Sequence, residues 1–120
     1  MKRNRLIQHN GKFIYYMDFS GLKNSIEISQ IIKESQLYVR AQPMLSVYTI
    51  TNIKDMHFNG EVKELFSGFI KGNKPFIKGS ALIGTNGLQQ IVINGIMKLT
   101  GREIRSFGNE KSALDWLTTK

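Results

Sequence analysis

The stretch LIGTNGLQQIVINGI, residues 82–96, sets two glycines between an apolar run and a helix-like pattern. Backbone amides at the start of a helix can hold a phosphate. A dinucleotide loop needs Gly-x-Gly-x-x-Gly after its strand. Here Gly84-Thr85-Asn86-Gly87-Leu88 has no glycine three residues further on. A Walker loop needs Gly-Lys-Ser/Thr, and Gly87 is followed by Leu88 and Gln89. Neither phosphate motif is complete. The two glycines are therefore expected to shape a tight strand-to-helix turn, with Thr85 or Asn86 as helix cap. Gly87→Val is expected to damage folding rather than phosphate binding. If an anion did bind, Thr85, Asn86 and Gly87 would hold it.

The other reactive side chains do not assemble into a motif. His9 and His57 are the only histidines. His57 with Asp55 makes two possible metal ligands, fewer than a structural site takes. No serine lies in Gly-x-Ser-x-Gly. Glu61 and Glu64 sit near a helix start, where the helix dipole already accounts for them. No catalytic residue, cofactor site or metal site is expected, and the chain reads as non-enzymatic.

The bulk properties fit this picture. A chain of 120 residues, 41% hydrophobic and 22% charged, suits one domain with one real core. There is no cysteine, hence no disulfide framework. No run approaches the ~18 apolar residues of a membrane span, and the basic start MKRNRLIQHNGKF lacks a signal-peptide core. A cytoplasmic protein without membrane insertion is expected. The net charge of +8 gathers in Lys2, Arg3, Arg5 and Lys12, in Lys71, Lys74 and Lys78, and in Lys98, Arg102 and Arg105. Such charge draws nucleic acid or other polyanions, or simply solvates a surface.

The elements follow from periodicity. Asn10-Gly11 marks a hairpin over residues 4–19, and Phe13, Tyr15, Met17 and Phe19 alternate along its second strand. Asn24 or Ser25 caps a helix whose inner face is Ile28, Ile31, Ile32, Ser35 and Val39, ended by Pro43. MLSVYTITNI reads as an interior strand. Asn59 caps a helix with Val62, Leu65, Phe66, Phe69 and Ile70 inward, stopped at Lys71-Gly72. Phe76–Ile83 is the next strand, with Pro75 at its start. Leu88, Ile91, Val92, Ile96 and Leu99 are the expected inner face of a third helix closed by Gly101. A short strand over Glu103–Phe107 leads to a last helix capped by Asn109. That helix carries Ala113, Leu114, Trp116 and Leu117, with Trp116 expected substantially buried and worth roughly 3 kcal/mol or more. The order β-β-α-β-α-β-α-β-α implies right-handed crossovers and an α/β fold.

Four stretches carry a family resemblance: YYMDFSGLKN (15–24), SVYTITNI (46–53), GSALIGTNGLQQIVINGIMKLTGREIRSF (79–107) and NEKSALDWL (109–117). Over nearly its whole length the chain resembles the STAS domain, the sulfate transporter and anti-sigma-factor antagonist domain. It is most similar to small stand-alone SpoIIAA-like bacterial proteins. The resemblance implies a mixed, mainly parallel four- or five-stranded sheet with about four helices and an N-terminal β-hairpin. In anti-sigma-factor antagonists a serine opens the helix after the central strand, and its phosphorylation adds roughly two negative charges that break the partner complex. Here that region reads KDMHFNGEVKEL, with no serine or threonine between Asn52 and Leu65. Thr49 or Thr51 stands where the preceding strand usually has an acid. The phosphoswitch is not carried over.

What the resemblance implies is a protein-interaction module in bacterial signalling. Its contact surface would comprise Asp55, His57, Phe58, Asn59, Gly60 and Glu61, and its partner would be a regulator protein. A basic nucleic-acid-associated protein and a small apolar-ligand or lipid binder are the alternatives. A homodimer is compatible with each.

Overall fold

The structure is a computed structural model, described here for residues 3–120. Lys2 of the basic N-terminal group lies outside the described residues. Strands β1 (Asn4–His9) and β2 (Lys12–Asp18) form the expected antiparallel hairpin. Its turn residues Asn10 and Gly11 take φ of 50° and 77°, the conformation these two residue types tolerate best. Then follow α1 (Ser25–Val39), β3 (Val47–Asn52), α2 (Gly60–Asn73), β4 (Ile77–Ile83), α3 (Gly87–Thr100), β5 (Arg105–Phe107) and α4 (Glu110–Leu117).

The five strands lie in the order β1-β2-β3-β4-β5, and every pairing after the hairpin is parallel. Three successive crossovers thus step across the sheet in one direction. Each must be right-handed, so α1, α2 and α3 share one face. There Tyr15, Met17, Phe19, Phe66, Leu82, Ile93 and Ile96 form the larger core. The opposite face buries Ile14, Tyr16, Tyr48, Ile50 and Ala81 under α4 alone. Eight residues of helix cannot cover five strands, and long cationic side chains extend the cover. Arg5 lies 4.3 Å over the ring of Tyr16, and Lys12 5.3 Å over that of Tyr48. Alkyl stems shield apolar surface in this way while the charged heads stay wet.

The helix caps are local sequence effects. Asn24, Asn59, Asn86 and Asn109 each accept a backbone amide of the first turn through the side-chain oxygen. Gly101 ends α3 in the left-handed region, at φ 70°. Among the described residues no helix is long and apolar enough to cross a membrane.

Several expectations need correction. Gly72 does not stop α2, which runs on through Asn73 into a single 3-10 turn over Lys74–Phe76. Pro75 sits in that turn, where its missing amide costs nothing, and β4 begins only at Ile77. Phe13 is 60% exposed, next to the hairpin turn on the wall of an open surface pocket that it shares with Tyr38 of α1. The inner face of α3 is also different and is described below.

Trp116 is half-buried rather than buried. It packs on Phe107 at 5.4 Å between centroids and carries Lys120 on its ring. Trp116→Ala is accordingly expected to cost about 1–2 kcal/mol, below the range for fully buried aromatics. A urea titration checks this, and a loss above 3 kcal/mol would mean that α4 depends on Trp116 rather than on Ala113 and Leu117, both fully buried.

Candidate functional site

The loops at the C-terminal ends of β3 and β4 meet. Residues 53–59 leave β3 and are pinned from several sides. The Ile53 amide donates to the Ile83 carbonyl (3.1 Å), the His57 amide to the Leu22 carbonyl (2.9 Å), and the Gly21 amide to the Lys54 carbonyl (2.8 Å). Asp55 takes φ 57°, a left-handed conformation that aspartate tolerates better than most residues. Phe58 reaches inward to the ring of Phe66, 5.5 Å away. Asn59 then caps α2, accepting the Val62 amide at 2.9 Å, and Glu61 occupies the first turn.

Gln89 ties this loop to α3. It is 5% exposed, and its Nε2 donates to the carbonyls of Ile53 and Met56, 2.9 Å each. Its Oε1 accepts the Asn86 amide (2.9 Å), while Asn86 Oδ1 accepts the Gln89 amide (2.8 Å). This reciprocal capping box uses two of the donors that an anion at Thr85, Asn86 and Gly87 would compete for.

With Gln89 turned inward, helical spacing forces Ile93, Ile96 and Thr100 inward as well. Of the expected inner face of Leu88, Ile91, Val92, Ile96 and Leu99, Ile96 is fully buried and Val92 packs partly buried against the core, while Leu88, Ile91 and Leu99 are corrected to the outside. Leu88, Ile91 and Leu99 are 78%, 68% and 74% exposed. Hydrophobicity alone favoured the larger set of aliphatic residues. The hydrogen bonds of Gln89 to the Met56 carbonyl, and to the Ile53 carbonyl that also accepts the Met56 amide at 3.1 Å, decide the other phase.

The two loops and the start of α3 border a shallow groove of about 470 Å³, lined by Met56, His57, Phe58, Leu88, Ile91 and Val92 among others. The groove gathers His57, Phe58 and Asn86 from the sequence-based candidates. Asp55, Asn59, Gly60, Glu61, Thr85 and Gly87 do not line it. The sequence reading missed Gln89 and the outward stripe of α3. One signal was available, since Asn86 followed by glutamine three residues later is a capping-box spacing.

Among the described residues no three of His, Cys, Asp and Glu come together as a metal site. The enclosed space between the sheet and the helices, lined by Phe66, Phe69, Leu82 and Ile93, is about 20 Å³. That is near the size of a single water probe, far below the ~300 Å³ of a small-molecule pocket.

Sheet order, hairpin, three helices on one face and a short helix behind define the SpoIIAA-like α/β fold. The chain superimposes with a TM-score of 0.75 on the crystal structure of an uncharacterized protein from the DUF3478 family, described as having a SpoIIAA-like fold, from Shewanella loihica PV-4. The match covers 95% of this chain and 91% of that one, at 16% identity. No protein-family model matches the chain. No curated protein matches it.

Proposed function

We propose that the chain is a non-enzymatic protein-interaction module of bacterial signalling, and that its contact surface is the groove between the 56–58 loop and the outward face of α3. One observation carries this reading. Leu88 and Ile91, one turn apart on the groove wall, and Leu99, two turns further along the same helix, each expose two-thirds or more of their surface. Apolar residues held in water on one helix lose the free energy their burial would provide, about 25 cal/mol per Å². A partner segment with a matching apolar face recovers it.

The wall of the groove is rigid because Gln89, Asn86 and the Leu22 carbonyl fix both of its loops. A preformed surface binds without the cost of ordering a loop. Asn59 opens α2 where related switch proteins have a phosphorylated serine, and its oxygen is committed to the helix cap. Binding would therefore be governed by partner concentration, not by modification at that position.

The test compares the tagged chain with Leu88→Glu and Ile91→Glu variants, each captured from the cells that make it, with and without nuclease. Both positions are exposed, so stability should change by no more than about 0.5 kcal/mol. The expected result is a protein retained by the parent after nuclease and lost from both variants. Equal retention by the variants would remove the groove from the reading. Loss on nuclease treatment alone would favour the basic surface and nucleic acid. Self-association abolished by the variants, read by analytical ultracentrifugation, would identify the partner as a second copy.

A further inference from the structure

At the other end of the sheet, where β4 begins, a crevice of about 280 Å³ opens between Leu45, the 3-10 turn, the α3–β5 loop and the end of α4. Its walls carry four cations, Lys74, Lys78, Arg102 and Lys120, and one acid, Glu103. None of these five forms an ion pair among the described residues. Like charges gathered in a concave surface raise the local potential and draw anions to it.

Arg102 sits at the bottom and is 9% exposed. One Nη donates to the Ile70 carbonyl at 2.9 Å and the other to the Ser80 hydroxyl, which is also bonded to Thr49. These acceptors are neutral, and they engage two of the five guanidinium donors. A buried cation without a counter-charge is costly and is normally paired. Burial draws its pKa down to about 10, so the group still carries its charge at neutral pH.

The remaining cations are placed around it by specific features. Gly101, at φ 70°, has no side chain, and the Lys74 ammonium occupies the space a Cβ would need. Lys120 lies 4.6 Å over the ring of Trp116. Its main-chain oxygen is engaged separately, by Lys12 Nζ and the Tyr48 hydroxyl, 3.1 Å each.

We propose that this crevice binds a small phosphate-type oxyanion ligand, with Arg102 as the buried fork, Lys74, Lys78 and Lys120 as rim charges, and Trp116 as the wall beside it. A guanidinium offers paired N–H donors that match two oxygens of a phosphate, and ammonium groups add charge without fixing geometry. The volume is near the lower bound of small-molecule sites, about 300 Å³, which suits a pyrophosphate or a small organic phosphate. The site is at the opposite end of the strands from the α3 groove, so it stands or falls independently of the docking surface.

Trp116 is the single tryptophan and lines the crevice, so its fluorescence reports directly on occupancy. Pyrophosphate is titrated into the full chain at constant ionic strength, with sodium chloride as the control. The expected result is a saturable fluorescence change absent from the control, with Tm raised by about 5 °C at saturation. A Lys74→Gln, Lys78→Gln double variant, altered only at exposed positions, should bind at least about tenfold more weakly. Arg102→Lys keeps the charge but loses the fork and should weaken binding to a similar extent, with its unliganded Tm as the check on folding.

No saturable change up to about 10 mM, an affinity too weak to count as a site, would overturn the proposal. So would equal binding by the double variant. A single-stranded oligonucleotide that binds while pyrophosphate fails to compete would also overturn it, and would make the crevice part of a nucleic-acid surface.

Discussion

Gly84→Val lowers stability by about 4 kcal/mol, whereas Gly87→Val changes it by less than about 0.5 kcal/mol. The two glycines stand three residues apart in one turn, yet only the first is required. Gly84 takes φ +81°, a conformation that a β-branched residue adopts only with strain. A Cβ there would lie 2.7 Å from the backbone nitrogen and from the Cβ of Lys54, and 2.9 Å from Asn52 Oδ1. These atoms cannot yield cheaply, because Asn52 Oδ1 accepts that same Lys54 amide at 3.0 Å. Relief would have to move the start of the 53–59 loop away from β4. A Cβ on Gly87 would meet nothing within 4 Å, and Gly87 is the first residue of α3, a position open to most side chains. The expectation that Gly87→Val damages folding is therefore transferred to Gly84. Urea midpoints of the two variants decide it. Similar midpoints would mean that the loops above β3 and β4 adjust freely, and the rigid groove wall would go with them.

Gln89→Ala costs about 3 kcal/mol, the second largest effect expected. The substitution removes two hydrogen bonds to the carbonyls of Ile53 and Met56 at a buried position. The Met56 carbonyl is left dry, at about 1–3 kcal/mol, while the Ile53 carbonyl loses its second donor and keeps the Met56 amide at 3.1 Å. It also removes the Gln89 half of the capping box at Asn86, a term of about 0.5–1 kcal/mol. Its consequences reach the groove. With the loop released from α3, partner capture should weaken although every apolar contact residue is intact. Thermal denaturation measures the first effect and the capture experiment the second. A loss below 1 kcal/mol would imply that water replaces the Gln89 side chain, and the phase of α3 would then need another cause.

The outward stripe of α3 shows why a sequence reading placed the helix but not its face. Leu88, Ile91, Val92, Ile96 and Leu99 recur at helical spacing, as do Gln89, Ile93, Ile96 and Thr100. Hydrophobicity ranks the first set higher. Polar satisfaction selects the second, because Ile53 and Met56 present their carbonyls where the helix begins. That information is absent from residues 87–100, since it depends on a loop more than thirty residues earlier in the chain. α1 contrasts with this. Its inner residues Ile28, Ile31, Ile32, Ser35 and Val39 follow from spacing alone, since no competing stripe exists on that helix.

Arg102 gives the same lesson for charge. In the sequence it is one of three basic residues near the end of α3, with nothing to distinguish it from Lys98 or Arg105. The tertiary structure turns it under α2 to the Ile70 carbonyl and sets Lys74, Lys78 and Lys120 around it from three other segments.

By itself the sequence determined what depends on neighbours along the chain: the hairpin at Asn10-Gly11, the caps Asn59 and Asn109 and the other two helix caps to within two neighbouring residues, the order of strands and helices, and the absence of a hydroxyl to phosphorylate beside Asn59. These features rest on turn conformation, local hydrogen bonds and period, which act over a few residues. Only the tertiary structure decided which of two apolar faces α3 buries, which glycine its turn requires, how deeply Trp116 sits, and which cations converge on one crevice. Each of these depends on groups far apart in the chain, and their free energy exists only once the crossovers have brought those groups together.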